Sequence, residues 1–204
     1  MKIGIVDYGL GNIQSVKNAV IYHNPEVEVT LIDQPEDVNL YDKLILPGVG
    51  AFGDAMKLIQ IKGWDYALLE EAKKGKYILG ICLGMQLLSS KSYEFGEHNG
   101  LNLIPGEVIK FSLPNAYSVP HIGWNNVHFK TDHPLASGIE INSDFYFVHS
   151  YHFRCLKEKY SLATTSYGDT FTSVVVKDNV IGVQFHPEKS QGMGLKLISN
   201  FIRL

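Results

Sequence analysis

Cysteine is scarce in this 204-residue chain, which carries only Cys82 and Cys155. One disulfide would be a poor framework for that length, so a reducing compartment, the cytoplasm, is expected. Long apolar runs are missing too. The run Ile3-Gly4-Ile5-Val6 is far too short for the hydrophobic region of a signal peptide, and no stretch approaches the length of a membrane span. Charge of one sign is not in excess. A net charge of −3 gives no reason to expect nucleic acid or an anionic membrane as partner. Low-complexity linkers, charge blocks and internal repeats are absent. The pairs His149/His152 and His121/His128 do not belong to any ligand set with zinc spacing, so no metal is expected. Gly9-Leu10-Gly11 lacks the third glycine of a dinucleotide fingerprint, with Gln14 in its place, and no cofactor is expected. What is there, 45% hydrophobic and 19% charged, is an ordinary globular composition. The length suits one domain over residues 1–204 with a substantial core.

The first half alternates apolar strands and helices: strands over 2–6, 27–32, 44–46 and 77–81, helices over 13–22, 54–59 and 65–74. Asn12 stands where it can cap the first helix. Near-continuous apolar strands separated by helices predict a mostly parallel sheet covered on both faces. The second half changes to short β-prone runs over 108–111, 127–129, 145–149, 162–166, 172–176 and 180–184. Asp178-Asn179 makes a hairpin turn between the last two, and a helix over 195–202 follows. The expected fold class is α/β, a mostly parallel central sheet flanked by helices, with an antiparallel β-rich portion in the second half.

The stretch Gly80-Ile81-Cys82-Leu83-Gly84 places a thiol between two glycines, after a buried strand and before a helix predicted from Met85 onward. Strand, sharp turn and helix with the nucleophile at the apex is the elbow geometry of G-x-S-x-G enzymes, with sulfur in place of oxygen. The glycines permit close approach and a strained backbone, and unpaired N–H groups at the helix start favour the thiolate. A thiol nucleophile needs a base, and the base an orienter. His186-Pro187-Glu188 offers both, because residues two apart in extended backbone share a face. Pro47-Gly48-Val49-Gly50, at the end of a parallel strand, and the Leu83 N–H are candidate donors to a developing oxyanion. Cys155 reads as a small buried hydrophobe, and the aromatics Tyr146, Phe147, Tyr151 and Phe153 as strand packing.

Taken together these parts resemble the class I glutamine amidotransferases, with their Cys-His-Glu triad. The resemblance extends to Asp7-Tyr8-Gly9-Leu10-Gly11-Asn12-Ile13, Pro47-Gly48-Val49-Gly50-Ala51-Phe52 and Cys82-Leu83-Gly84-Met85-Gln86. It continues through His121-Ile122-Gly123-Trp124-Asn125, Tyr146-Phe147-Val148-His149-Ser150-Tyr151 and Phe185-His186-Pro187-Glu188-Lys189-Ser190. These segments are similar to the branch of glutaminase subunits that serves imidazole glycerol phosphate synthesis, and they cover nearly the whole chain in order. The resemblance implies a triad of Cys82, His186 and Glu188, and an oxyanion site at Val49, Gly50 and Leu83. It also implies glutamine contacts at Gln86, Glu94, Ser150 and Tyr151, with Glu94 on the α-ammonium and Ser150 and Tyr151 on the α-carboxylate. The implied partner is a HisF-type (β/α)₈ synthase subunit in a heterodimer, receiving ammonia through a channel. Asn12, His121, Trp124 and Asn125 fall at partner-facing or gating positions.

The same motifs resemble paralogues that supply ammonia to a HisF-like amidotransferase in surface-polysaccharide sugar synthesis, and the sequence does not separate the two. The segment 113–118, Leu-Pro-Asn-Ala-Tyr-Ser, looks specific to this chain and bears on the partner-facing surface. A silent binding subunit would be expected to have a broken triad, whereas all three residues are present. A cysteine peptidase or γ-glutamyl hydrolase shares the triad, but does not account for the matching segments outside it.

Overall fold

A computed structural model describes residues 1–113 and 116–204. The parallel part of the sheet comprises β1 (Lys2–Val6), β2 (Glu28–Ile32), β3 (Lys43–Gly48) and β4 (Tyr77–Cys82). Between them run α1 (Ile13–His23), α2 (Phe52–Lys62) and α3 (Trp64–Lys73), and α4 (Leu83–Leu87) follows β4 directly. After the two-residue strands β5 (Lys91–Ser92) and β6 (His98–Asn99) come β7 (Gly106–Lys110), β8 (His121–Phe129), β9 (Ser143–His149) and β10 (Tyr151–Cys155). The chain closes with β11 (Ser161–Tyr167), β12 (Asp169–Lys177), β13 (Val180–Val183) and α5 (Gln191–Arg203). The main strand order is β2-β1-β3-β4-β13-β12-β10-β7-β5-β6, with β11 joining β12 to β8, and β8 pairing β9. Pairing is parallel from β2 to β13 and antiparallel from β13 to β12, so the change of character seen in the sequence falls where β13 returns beside β4.

Helices cover both faces. Val16 and Val20 of α1 pack with Leu197, Ile198 and Phe201 of α5 in one apolar cluster, which continues into Phe145 and Phe147 of β9. The other cluster holds Phe52, Met56 and Ile59 of α2, Trp64 and Leu68 of α3, and Leu83, Met85 and Leu87 of α4. Lys43 is buried in β3 and caps the end of α5, its Nζ lying 3.0 Å from the Phe201 carbonyl and 2.8 Å from that of Ile202. A cation there meets the orphaned carbonyls and the negative end of the helix. No helix among the described residues is long and apolar enough to cross a membrane.

Several elements depart from the sequence expectation for identifiable reasons. Pro47 and Gly48 belong to β3 rather than to the loop, since Gly48 stays in register with Cys82. Helix α2 begins at Phe52, ahead of the predicted start, because its first N–H is capped at 2.7 Å by the Glu94 carboxylate, forty-two residues away. Helix α4 begins at Leu83 and ends after five residues. The carbonyls of Leu87 and Leu88 are taken at 2.9–3.0 Å by the N–H groups of Leu101, Leu103 and Ile104, which stops it. Helix α5 begins at Gln191, through two glycines of low helix propensity, and Gly194 packs without a Cβ against the Pro187 carbonyl. Asn12 stands at the start of α1 but makes no side-chain capping bond. Strand β8 extends back to His121, and β10, where the sequence predicts only that Tyr151 and Phe153 pack as in a strand, runs from Tyr151 to Cys155. Of the segment 113–118, Pro114 and Asn115 lie outside the described residues.

Strands β8 and β9 place His121 directly opposite His149. His121 is buried at 2% exposure, so it does not present a partner-facing side chain. Its ring stacks on those of Phe147 and Tyr167. The carbonyl of Tyr151 only accepts, so the contact at 2.8 Å places a proton on His149 Nδ1. His149 Nε2 is then an acceptor for His121 Nδ1 at 3.0 Å, and His121 Nε2 accepts from the Asn125 amide at 3.3 Å. Burial lowers His121 to about 4, and burial with neighbouring imidazoles lowers His149 to about 3.

Two outcomes follow from this packing. A Cβ at Gly84 would strike the Leu46 carbonyl oxygen, whereas one at Gly192 meets nothing. Gly84→Ala should therefore cost about 1–3 kcal/mol or more, and Gly192→Ala should be neutral or mildly stabilising, in urea denaturation; equal midpoints for the two variants would contradict the close approach. The folded values of His121 and His149 lie below the unfolded value of 6.5, so their linked stability is present above about pH 6.5 and lost as pH falls toward about 4 and 3. Imidazole ¹⁵N spectra should show both rings neutral and protonated at Nδ1 down to about pH 5, and a transition between about pH 6 and 7 would refute the arrangement.

Candidate active site

Strand β4 ends in Cys82, whose backbone adopts φ +54° and ψ −111°, a left-handed conformation uncommon for a side chain with a Cβ. Such a residue costs about 1–3 kcal/mol and persists only when its surroundings over-determine it. Here they do. A Cβ at Gly80 would lie 2.6 Å from the Gly84 carbonyl oxygen, so the strand before the turn and the helix after it touch backbone to backbone. The sulfur at the apex borders a cavity of about 210 Å³. The sequence expected a longer helix here. With five residues, α4 offers local N–H groups rather than a full helix dipole.

The same cavity is lined by Val49, Gly50, Leu83, Gln86, Glu94, Ser150, Tyr151 and His186, all of them anticipated from the sequence, and by Val148 and His149, which were not. Gly50 takes φ +98° on an open side of the chain, a conformation suited to glycine. A larger, open hollow of about 850 Å³ between Phe129 and Ile141 is lined by none of Cys82, His186 and Glu188.

His186 is held from several directions. Its N–H donates to the Tyr146 carbonyl at 2.9 Å, and the Tyr146 N–H donates to Ser190 Oγ at 3.0 Å. Ser190 Oγ in turn donates to the His186 carbonyl at 2.6 Å. Glu188 sits in a 3₁₀ turn over Pro187–Lys189, so the turn, rather than the extended backbone expected, brings its carboxylate round to the ring. His186 Nδ1 lies 2.9 Å from Glu188 Oε1, both side chains being buried. Nδ1 thus faces the carboxylate, and the ring borders the same cavity as Cys82. Burial alone would lower this imidazole. The hydrogen bond to the Glu188 carboxylate and the negative charges of Glu188 and the neighbouring Cys82 sulfur overcome burial and raise it well above its ordinary value. Glu188 Oε2 is buried with no hydrogen-bond partner and borders a small space shared with Asn12 and His186.

The remaining anticipated residues divide. Glu94 lends one oxygen to the start of α2 while facing the cavity. Gln86 donates to the Tyr151 carbonyl at 2.9 Å and to Gln184 Oε1 at 3.1 Å. Trp124 and Ile122 are exposed on one face of β8, whereas the Asn125 amide is engaged by His121 and the Ser166 carbonyl. Cys155 is half-buried in β10, and burial pushes its thiol up to about 11. Among the described residues no cluster of three or more His, Cys, Asp and Glu side chains is placed to hold a metal ion. A cysteine at a strained apex, an imidazole backed by a buried carboxylate and a glycine loop thus meet around one cavity.

Comparison with known proteins identifies the family. The family model for glutamine amidotransferase class-I matches residues 4–204. The chain is 49% identical to imidazole glycerol phosphate synthase subunit HisH of Sulfurimonas denitrificans, over 98% of this chain and 97% of that protein. It is 46% identical to the protein of the same name from Wolinella succinogenes, over 99% of each. Identity to the Aquifex aeolicus protein of that name is 46%, over 100% of this chain and 97% of the relative. Among solved structures, PurLQS from Thermotoga maritima superposes with TM-score 0.78 at 17% identity, covering 99% of this chain and 97% of that one, a likeness of fold. The chain belongs to the class-I glutamine amidotransferase family, on its HisH branch.

Proposed function

We propose that residues 1–204 form one glutaminase domain, the ammonia-producing subunit of an imidazole glycerol phosphate synthase. The observation that carries this reading is Cys82 at a left-handed apex, bordering one cavity with His186, which is backed by Glu188. Family membership on the HisH branch supports glutamine as substrate and histidine biosynthesis as the setting.

In the proposed reaction the Cys82 thiolate attacks the side-chain amide carbon of glutamine. The carbonyl oxygen becomes an oxyanion facing the backbone N–H groups of Val49 or Gly50 and of Leu83. Protonated His186 gives its proton to the amide nitrogen, the C–N bond breaks, and ammonia leaves a γ-glutamyl thioester. His186, now neutral, takes a proton from water as the water attacks the thioester. The second oxyanion collapses and expels the Cys82 thiolate, the γ-carboxylic acid so formed gives up its proton to solvent and departs as glutamate, and thiolate and imidazolium are restored. Glu188 stabilises the imidazolium and fixes the ring orientation throughout. Gln86 and Glu94 contact the substrate, Glu94 through the α-ammonium, while Ser150 and Tyr151 hold the α-carboxylate.

The proposed partner is a HisF-type (β/α)₈ synthase subunit, forming a heterodimer in the cytoplasm and receiving ammonia through a channel. It would convert a phosphorylated ribulosyl intermediate into imidazole glycerol phosphate and an aminoimidazole carboxamide ribotide, a lyase-type step outside this chain. The exposed Trp124, together with Asn12 and Asn125, is proposed to face that partner, since aromatic anchors dominate interface energetics.

Reconstitution with such a synthase tests the assignment. Cys82→Ala should abolish glutamine-dependent turnover while turnover with ammonium salts persists. Glu188→Gln should lower glutamine-dependent kcat by about 10²–10⁴-fold, the scale seen when a triad loses its orienting carboxylate, again sparing ammonium. Glutamine-dependent activity retained by Cys82→Ala would sink the reading.

A further inference from the structure

Gln184 lies just beyond β13, fully buried, two residues before the proposed base. Its backbone N–H is fixed to the Ser173 carbonyl at 2.9 Å. Its side-chain amide spans the gap between Gln86 and the nucleophile: Oε1 accepts from Gln86 Nε2 at 3.1 Å, and Nε2 lies 3.9 Å from Cys82 Sγ.

The polarity of this bridge is determined from outside it. A backbone carbonyl only accepts, and that of Tyr151 takes one N–H from Gln86 at 2.9 Å and Nδ1–H from His149 at 2.8 Å. The other Gln86 N–H then points at Gln184, which must answer with oxygen. That leaves the Gln184 NH₂ facing the sulfur. Turning the amide over would set its NH₂ against the Gln86 NH₂ and its oxygen against the sulfur, two mismatches in a buried region where unsatisfied polar groups are costly. A donor held at that place is opposite in polarity to the Val148 carbonyl, 4.0 Å from the sulfur, and can hydrogen-bond the sulfur when it carries negative charge, in attack and on expulsion from the thioester.

We propose that Gln184, oriented by Gln86 and the Tyr151 carbonyl, is a fourth contributor to the nucleophile, positioning the Cys82 sulfur and stabilising it as the thiolate. The proposal rests on Cys82 being the nucleophile, and the experiment separates the two claims. The intact chain is treated with iodoacetamide at neutral pH, and carbamidomethylation of Cys82 and Cys155 is followed by mass spectrometry of the digest. Wild-type Cys82 should react much faster than Cys155; if it does not, both the nucleophile reading and the role of Gln184 fall. Gln184→Met keeps the approximate volume and removes the donor. It should slow Cys82 alkylation by about tenfold, the scale of one hydrogen bond to a charged group. In the reconstituted complex it should lower kcat with little change in KM for glutamine. Gln184→Glu keeps the shape but sets a carboxylate near the sulfur, and should slow alkylation further. Packing alone predicts wild-type alkylation in Gln184→Met. A reactive wild type with an unslowed Met variant, or, where that variant does not fold, an unslowed Glu variant, overturns the role of Gln184 and leaves that of Cys82 standing.

Discussion

The site depends on a contact between backbones. Gly80 on the strand and Gly84 on the helix touch across the turn, and Gly84 also packs on the Leu46 carbonyl of the neighbouring strand. With no side chain at either glycine, the chain reverses tightly enough to hold Cys82 at φ +54°. The strain is maintained by packing, since both neighbours of β4 are in parallel register with it. Gly48 pairs with Cys82 on one side, and Val183 pairs with Ile81 on the other. Those two registers deliver the rest of the site, because the glycine loop leaves β3 just after Gly48 and His186 follows β13 by three residues. The proposed nucleophile, the loop and the proposed base come from three adjacent strand ends, where open parallel sheets carry their chemistry.

Electrostatics then separates the buried histidines into two kinds. His186 lies against a carboxylate and a sulfur and is raised, while His121 and His149 are lowered by burial, His149 also by the imidazoles around it, His186 among them. The neutral pair joins β8 to β9, and its polarity is set by the Tyr151 carbonyl that also orients Gln86. Packing and chemistry therefore share one set of hydrogen bonds, extending from Asn125 in β8 to the sulfur.

Features written in local pattern could be read from the sequence. The glycine-flanked cysteine, the apolar parallel strands and the Asp178-Asn179 turn needed only neighbouring residues, and Asp178 does take φ +54° between β12 and β13. Features fixed by distant partners could not. Glu94 caps α2 from forty-two residues away, which no inspection of residues 52–62 would show. Strand β8 opens with His-Ile-Gly-Trp-Asn-Asn, too polar for an apolar-run criterion, and is held by pairing with β9. Strand β10, Tyr-His-Phe-Arg-Cys, does alternate, and its period-two signal was available but short. The cavity-lining residues were anticipated largely through the family resemblance. Gln184 was not, because a lone glutamine between Val183 and Phe185 carries no motif of its own beside the His-Pro-Glu that follows.

The central claim is that the strained cysteine forms an acyl-enzyme with glutamine. Rapid acid quench of the reconstituted complex during turnover of isotopically labelled glutamine, followed by peptide mass spectrometry, addresses it directly. The account predicts a labelled γ-glutamyl group on the peptide containing Cys82, removed by mild hydroxylamine as a thioester would be. Label on another residue, or turnover with no acyl group at Cys82 under conditions that preserve thioesters, would contradict it.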